Sequence, residues 1–88
     1  MIDDLRQMAI FVKIVDHGSF RGAANELNLS ASVVSHHLSQ LEEKLGLTLL
    51  YRSTRRLRPT REGDGLLLSA RAMLEAAEHG LATLQQRS

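Results

Sequence analysis

Arginine residues are concentrated in one short segment of the chain. Five of the 11 lysine and arginine residues fall between positions 52 and 61, and no aspartate or glutamate lies between positions 45 and 60. The formal net charge is only +1, so the segment is a local positive patch on a nearly neutral protein. Such a patch predicts a local anionic partner, although a solvated loop whose arginines favour solubility has the same composition. The members of the patch are Arg52, Arg55, Arg56, Arg58 and Arg61.

A face of hydroxyl and imidazole groups precedes this patch, on a predicted helix. Ser30 is typical of a residue that caps a helix, and Gly46 of one that ends it. Because successive residues of a helix are rotated by about 100°, one apolar stripe leaves the opposite face free for side chains that donate and accept hydrogen bonds. The stripe holds Val34, Leu38, Leu41 and Leu45, and the polar face holds Ser32, His36, Ser39 and Gln40, flanked by Val33, Ser35 and His37.

A first helix is predicted to support this arrangement from the start of the chain. Asp4 is predicted to cap it, with Gln7 completing a capping-box-like pair, and Gly18 is predicted to end it. A second, smaller apolar stripe of Ile10 and Ile14 would remain exposed to solvent in so small a domain, so we expect another protein surface to cover it. The main apolar face comprises Leu5, Met8, Phe11, Val12 and Val15.

A second helix is separated from the polar helix by only a short turn. Ser19 is predicted to cap the second helix, which runs to about Leu27, and residues 28–29 form the turn. Two helices joined by such a turn, the second with a short polar outer face, are typical of helix-turn-helix proteins. In that motif the second helix enters the major groove of DNA, where its first exposed residues reach base edges.

A hairpin and a long helix are predicted after Gly46. Residues 47–52 and 57–59 read as two short strands, or a wing, with Pro59 at an edge or end because proline lacks an N–H donor. Thr60 is predicted to cap a helix from about Arg61 to Gln86. Its leucines and alanines recur at spacings of 3, 4, 3, 4 and 3, which is the pattern of a coiled-coil seam. The seam comprises Leu67, Ala70, Leu74, Ala77, Leu81 and Leu84.

Packing within the chain and packing against a second copy both explain the seam. We favour the second copy, because a helix this long projects past a small domain. The same partner helices would then cover Ile10 and Ile14.

Taken together, these motifs resemble the N-terminal domain of LysR-type transcriptional regulators over nearly the whole chain. The resemblance implies a mainly α-helical winged helix-turn-helix, followed by a linker helix that dimerises antiparallel, and binding to partly palindromic promoter DNA. The motifs are Asp4-Leu5…Phe11-Val12, Gly18-Ser19-Phe20…Ala23-Ala24…Leu27-Asn28-Leu29-Ser30, Val34-Ser35-His36-His37-Leu38…Leu41-Glu42…Leu45-Gly46, Leu49-Leu50-Tyr51-Arg52, Thr54-Arg55…Leu57 and Thr60…Gly63.

Four positions depart from the pattern that the family resemblance implies. The family often carries Gln-Pro where this chain has Ala31-Ser32, so the base contact that the glutamine commonly makes is reduced here to methyl packing. Leu50 stands where phenylalanine is usual, and Pro59 where an aliphatic residue is usual. These two changes leave the expected fold in place but predict a short second strand in the wing.

The expected DNA contacts divide into two groups. His36 is the longest side chain at the start of the reading face, and Val33 offers a surface for a thymine methyl. For Arg52 an ion pair with Glu42 or Glu43 is an equal alternative to a phosphate contact. Base contacts are assigned to Ala31, Ser32, Val33, Ser35 and His36, and backbone or minor-groove contacts to Ser19, Arg21, Ser39, Arg52, Arg55 and Arg56.

The expected organisation is a DNA-binding domain over residues 1–59 and a linker helix for homodimerisation over residues 60–88. The family's effector-binding domain is not within this sequence, so a small-molecule effector, or a tetrameric state, would belong to a longer chain. The absence of cysteine excludes thiolate metal sites and fits a cytoplasmic location. Adjacent His36 and His37 point about 100° apart on a helix and do not share a metal, so no metal or cofactor is expected.

An enzyme and a protein-interaction module are the two alternatives to a DNA-binding protein. An enzyme is disfavoured, because no third residue is placed to orient a base and a chain of 88 residues offers little room for a pocket. A protein-interaction module would share the fold and the heptads. The reading face of this chain is small and polar and carries no aromatic anchor, however, and the wing is strongly cationic, and both features argue against such a module.

Overall fold

The chain folds into four helices and one hairpin. The computed structural model describes residues 1–53 and 56–86. The helices in these ranges are α1 (Ile2–His17), α2 (Phe20–Leu27), α3 (Ala31–Leu45) and α4 (Arg61–Gln85), and the antiparallel strands are β1 (Leu50–Arg52) and β2 (Leu57–Pro59). The predicted winged helix-turn-helix with a long final helix is confirmed. Leu50 lies opposite Pro59, so the proline is at the end of its strand as its missing donor requires.

Three helices begin at the hydroxyl residues that were predicted to cap them. The side-chain oxygens of Ser19, Ser30 and Thr60 accept hydrogen bonds of 2.9, 3.2 and 3.0 Å from the backbone N–H groups three residues later. Each bond satisfies a donor that has no partner within the helix and stabilises the fold by about 1 kcal/mol. The predicted stops of α1 and α3 at Gly18 and Gly46 are also confirmed, and both glycines have left-handed backbones.

The predicted start of α1 is wrong. The helix begins at Ile2, and no side chain caps it. The carboxylate of Asp4 is used by α3 instead, where it pairs with Lys44; this hydrogen bond lowers the pKa of Asp4 below its ordinary value. Gln7 is only 4% exposed and donates to the side chain of Gln40 at 3.3 Å. Contacts with a helix distant in sequence have replaced the local capping pair.

The prediction that a partner covers Ile10 and Ile14 is also wrong. The two side chains are 3% and 0% exposed, and both belong to the core of this chain. The reason is that α1 is packed against α2, α3 and α4 together with β2. Its second apolar stripe is therefore buried together with Phe11 and Val12 of the first, whereas Leu5 at the start of the helix is 40% exposed. A helix that is apolar on most of its circumference is typical of a central core element.

The predicted coiled-coil seam of α4 divides into two parts. Leu67 and Ala70 are 8% and 0% exposed because they pack into the core of their own chain, so assigning these two to a dimer interface is wrong. Leu74 is half-buried against the same core. Beyond it Ala77, Leu81 and Leu84 are exposed, the two leucines at 62% each. This second part of the helix, projecting from the domain, is free for a partner.

The start of α4 passes unusually close to the segment that precedes β1. Thr60 binds this segment through its hydroxyl, which donates to the Thr48 carbonyl at 2.7 Å, and through its N–H, which donates to the Leu49 carbonyl at 3.0 Å. Gly63 lies against the same backbone, and a Cβ at this position would stand 2.1 Å from the Leu49 carbonyl oxygen. Only glycine fits there without moving the helix.

Replacing Gly63 with alanine is therefore expected to lower the free energy of unfolding by at least about 2 kcal/mol, the cost of forcing extra atoms into a packed interior. The matched control is Gly65→Ala on the same helix, where a Cβ meets nothing within 4 Å. The control should stabilise the domain by up to about 1 kcal/mol, because alanine favours helix over glycine. Urea denaturation of both variants measures the difference; equal stabilities would contradict the close approach.

Candidate nucleic-acid interface

The turn between α2 and α3 is held by backbone hydrogen bonds rather than by its side chains. Asn28 adopts a left-handed conformation with φ 57° and ends α2, and the N–H of Leu29 donates to the Ala24 carbonyl at 3.0 Å. Ser30 then starts α3 with its cap bond. Because these bonds are local and satisfied, α3 leaves the turn in a defined direction, as a helix-turn-helix requires.

The first half of α3 presents an open polar face. Ser32, Val33 and His36 are exposed, as are Ala31 and Ser39, whereas Ser35 is half-buried. The hydroxyl of Ser32 lies 3.1 Å from that of Ser30, which orients it at the helix start. Of the opposite stripe, Val34, Leu38 and Leu41 are buried in the core, whereas Leu45 at the end of the helix is 46% exposed. The five predicted base-contact residues all lie in the first turns of α3, four of them exposed and Ser35 half-buried.

His37 belongs to a different surface from its neighbour His36. It lines a polar cleft of about 540 Å³ between α1 and α3, and among the described residues its buried Nδ1 has no hydrogen-bond partner. Burial, followed by the positive charges of Arg6 and His36, lowers the pKa of His37 below its ordinary value. The imidazole is therefore neutral at pH 7. Because His37 faces this cleft, His36 is the histidine available on the open face of α3.

The two sides of the hairpin carry different side chains. Residues on a strand point alternately to opposite sides, and the register pairs Tyr51 with Arg58 and Arg52 with Leu57. Tyr51 and Arg58 are both exposed, with the Arg58 guanidinium 5.9 Å from the centre of the Tyr51 ring. Leu50, on the other side, is 1% exposed and belongs to the core. Arg52 shares that inner side with Leu50.

Arg52 is engaged by the protein itself. Its guanidinium donates to Glu42 at 3.1 Å and lies 5.7 Å from the centre of the Phe20 ring. The other carboxylate oxygen of Glu42 accepts from the N–H groups of Leu49 and Leu50, at 2.7 and 3.3 Å. Of the two roles left open for Arg52 by the sequence, the ion pair with Glu42 is the one present in the structure.

The other residues expected at the DNA backbone have different surroundings. Arg21 at the start of α2 is exposed, and so is Arg56, directly before β2 at the turn end of the hairpin. Ser19 is half-buried, with its hydroxyl committed to the cap of α2. Arg55 lies outside the described residues.

Two exposed arginines, Arg58 and Arg61, were counted in the positive patch but not assigned a role from the sequence. Arg58 projects from the outer side of the hairpin, opposite Tyr51. The two-residue period of the strands contains the signal that finds it. Leu50 and Leu57 mark the inner side, so Tyr51 and Arg58, which follow them directly in the sequence, lie on the outer side. The same count indicates that Arg52 lies on the inner side.

Comparison with known proteins identifies the family of this arrangement. Residues 5–64 match the family described as bacterial regulatory helix-turn-helix protein, lysR family. The chain belongs to the lysR family. The match begins in α1 and ends in the first turn of α4, so it includes the turn, the polar face of α3 and the hairpin.

Relatives of this lysR-family domain are transcriptional regulators by name. It is 42% identical over 84 residues, 96% of the chain, to an HTH-type transcriptional repressor of Pseudomonas aeruginosa (strain UCBPP-PA14). It is 38% identical over 77 residues, 88% of the chain, to the HTH-type transcriptional activator AaeR of Escherichia coli (strain K12). The chain spans 26% and 25% of the length of these two relatives.

One solved structure with the same fold is a complex with DNA. The BenM_DBD/catB site 1 DNA complex matches with a TM-score of 0.82 and 30% sequence identity, over 93% of this chain and 92% of that one. Within residues 1–53 and 56–86, no helix combines the length and apolar character needed to cross a bilayer.

Proposed function

We propose that this lysR-family domain binds double-stranded DNA in a sequence-specific manner and regulates bacterial transcription. The observation that carries the proposal is the exposed polar face at the start of α3. This face belongs to a helix-turn-helix domain with the same fold as a chain whose structure was solved in complex with DNA. An α-helix fits the major groove, where hydroxyl and imidazole groups distinguish base pairs by their donor and acceptor patterns. The names of the relatives and the family match support this function.

The proposed contacts combine sequence reading on α3 with binding to the sugar-phosphate backbone around it. His36 reaches farthest and is assigned to a purine edge, and Val33, 39% exposed, to a thymine methyl. Exposed Arg21 and Arg56 are assigned to phosphates, and Arg58 joins them from the outer side of the wing. Ala31, Ser32, Ser35 and Ser39 complete the surface that faces the duplex.

Binding rather than catalysis is the proposed activity, and the cytoplasm its proposed location, because the ligand is promoter DNA. A protein-interaction module is the second candidate, since the fold alone does not exclude it. The exposed face of α3 is small and polar, however, which suits base edges better than an apolar partner surface. In the whole protein, we propose that a further domain binds any small-molecule effector.

A homodimer through α4 is proposed for the projecting half of the helix. Leu81 and Leu84, each 62% exposed, would stay in contact with water in a monomer. At about 100° per residue, Leu66, Met73, Ala77 and Leu84 share one face of the helix, and Leu66 and Met73 are half-buried at the edge of the domain. We propose this face, together with Leu81, as the seam of an antiparallel pair.

Salt dependence of binding tests the proposed function. A duplex selected by this chain from a random-sequence pool should bind with a plot of log K against log salt of slope about −2.7 or steeper, since each neutralised phosphate contributes about −0.9 and at least three arginines are assigned. Fluorescence anisotropy of the labelled duplex measures it. A flat plot, or failure of the selection to enrich any sequence, would favour the protein-interaction module.

Replacing His36 with alanine should weaken discrimination at one base pair by about 1–3 kcal/mol, the value of a good base contact, and leave binding to random DNA nearly unchanged. Competition between the selected duplex and single-base variants measures this loss. His79→Ala on the exposed part of α4 is the control and should discriminate as the parent does. An equal loss on selected and random DNA would remove His36 from the base contacts.

Replacing Leu81 with aspartate should raise the dimer dissociation constant at least about 100-fold, because each subunit then buries a carboxylate in an apolar interface. The control is Leu68→Asp, which changes a leucine that is 76% exposed on the opposite face of the same helix. Sedimentation equilibrium of both variants measures the change. The proposed seam is incorrect if the control dissociates and Leu81→Asp remains a dimer.

A further inference from the structure

Arg52 lies on the side of the wing that faces the protein, although it belongs to the arginine patch. Its register partner is Leu57, and the buried Leu50 lies two residues before it on the same side of β1. Exposed Tyr51 and Arg58 occupy the opposite side. Strand geometry therefore separates Arg52 from Arg58, although both contribute to the same positive patch in the sequence.

The Arg52 guanidinium bridges three elements of the fold. It starts from β1, donates to Glu42 of α3 at 3.1 Å and lies 5.7 Å from the ring centre of Phe20 at the start of α2. The side chain of Glu42 is only 13% exposed, against 42% for that of Arg52. A partly desolvated carboxylate of this kind holds its cation more firmly than an exposed one, because water screens the pair less.

Glu42 anchors the wing at two points with a single carboxylate. One oxygen binds Arg52, and the other accepts from the backbone N–H groups of Leu49 and Leu50, at 2.7 and 3.3 Å. Glu42 is part of α3, one turn beyond Ser39, so both points are fixed relative to the helix proposed to read bases. The beginning and end of β1 are thereby held at one angle to that helix.

We propose that Arg52 is a positioning residue, which orients the wing relative to α3 through Glu42 and neutralises no phosphate. This inference rests on the proposed DNA binding and specifies how one wing arginine serves it. Its role is to hold Arg56 and Arg58, the arginines proposed to face the DNA, in the correct position beside the groove. Losing either member of the pair releases the wing and weakens binding in the same way.

The sign of the effect at Glu42 distinguishes positioning from simple electrostatics. Removing a negative charge near a polyanion should by itself strengthen DNA binding. If Glu42 positions the wing, Glu42→Gln should instead weaken binding about tenfold, because the amide oxygen still accepts from the backbone while the NH₂ group no longer holds Arg52. Arg52→Ala should produce a similar loss, and the double variant should lose no more than either single one.

The salt slope separates a positioning arginine from one that binds phosphate. Arg56→Ala, the matched control, should make the slope shallower by about 0.9 for each phosphate contact removed. Arg52→Ala should weaken binding with the slope unchanged, because the released wing still makes its phosphate contacts in the complex and the loss is the cost of ordering the wing on binding. Arg52→Lys should restore part of the affinity by restoring a cation to Glu42. All measurements use the selected duplex and the 88-residue chain.

The chain carries its own reporter of the wing. Tyr51 is the only tyrosine and there is no tryptophan, so tyrosine fluorescence reports one site, next to Arg52. Without DNA, Glu42→Gln and Arg52→Ala should each lower the fluorescence anisotropy of Tyr51, while Arg56→Ala should not. Helical circular dichroism and Tm, measured in parallel, show whether the domain remains folded; if Arg52→Ala unfolds, Arg52→Lys and Glu42→Gln provide the same comparison.

Three outcomes decide the proposal. Weaker binding, an unchanged salt slope and a more mobile Tyr51 in both variants of the pair support it. A slope reduced by Arg52→Ala as by Arg56→Ala, or stronger binding of Glu42→Gln, would overturn it and make Arg52 a phosphate contact, with DNA binding intact. Failure of the parent chain to bind the selected duplex would overturn the proposed function as well.

Discussion

The rest of the domain depends on the burial of α1. Three helices and β2 pack on it, and Phe11 and Ile14 are fully buried. Because a close-packed helix contacts a different neighbour on each of its faces, α1 fixes the position of α3 relative to α4 and the hairpin at the same time. The inner stripe of α3 is committed to this core, so its polar side is the one that remains at the surface. The proposed reading face is in that sense a consequence of how α1 is covered.

The polar residues divide according to whether the protein satisfies them. Ser19 and Ser30 cap helices, and Glu42 holds both the backbone and Arg52. These groups build the frame, and their hydrogen-bonding capacity is largely used within the chain. Exposed His36 and Arg21 are directed to solvent instead. The proposed DNA interface is thus composed of groups left free by a frame that uses the same residue types.

Features governed by neighbouring residues were predicted well from the sequence. A cap depends on a hydroxyl and an N–H three residues away, and a stop on one glycine, so the ends of α2, α3 and the start of α4 followed from local chemistry. The face of α3 followed from helical periodicity. Asp4 was misassigned because a local cap competed with Lys44, which lies 40 residues away in sequence. Local patterns contain no information about which of two such partners is nearer in space.

What the sequence by itself determined is the order of the elements, most of the helix ends, the face of α3 and the family of the chain. Only the tertiary structure decided which apolar surfaces are already covered: Ile10, Ile14, Leu67 and Ala70 are interior, and Leu81 and Leu84 are not. It also decided that Arg52 binds Glu42. The physical reason is that periodicity identifies the faces of a helix or strand, whereas burial and ion pairing depend on what is packed against each face.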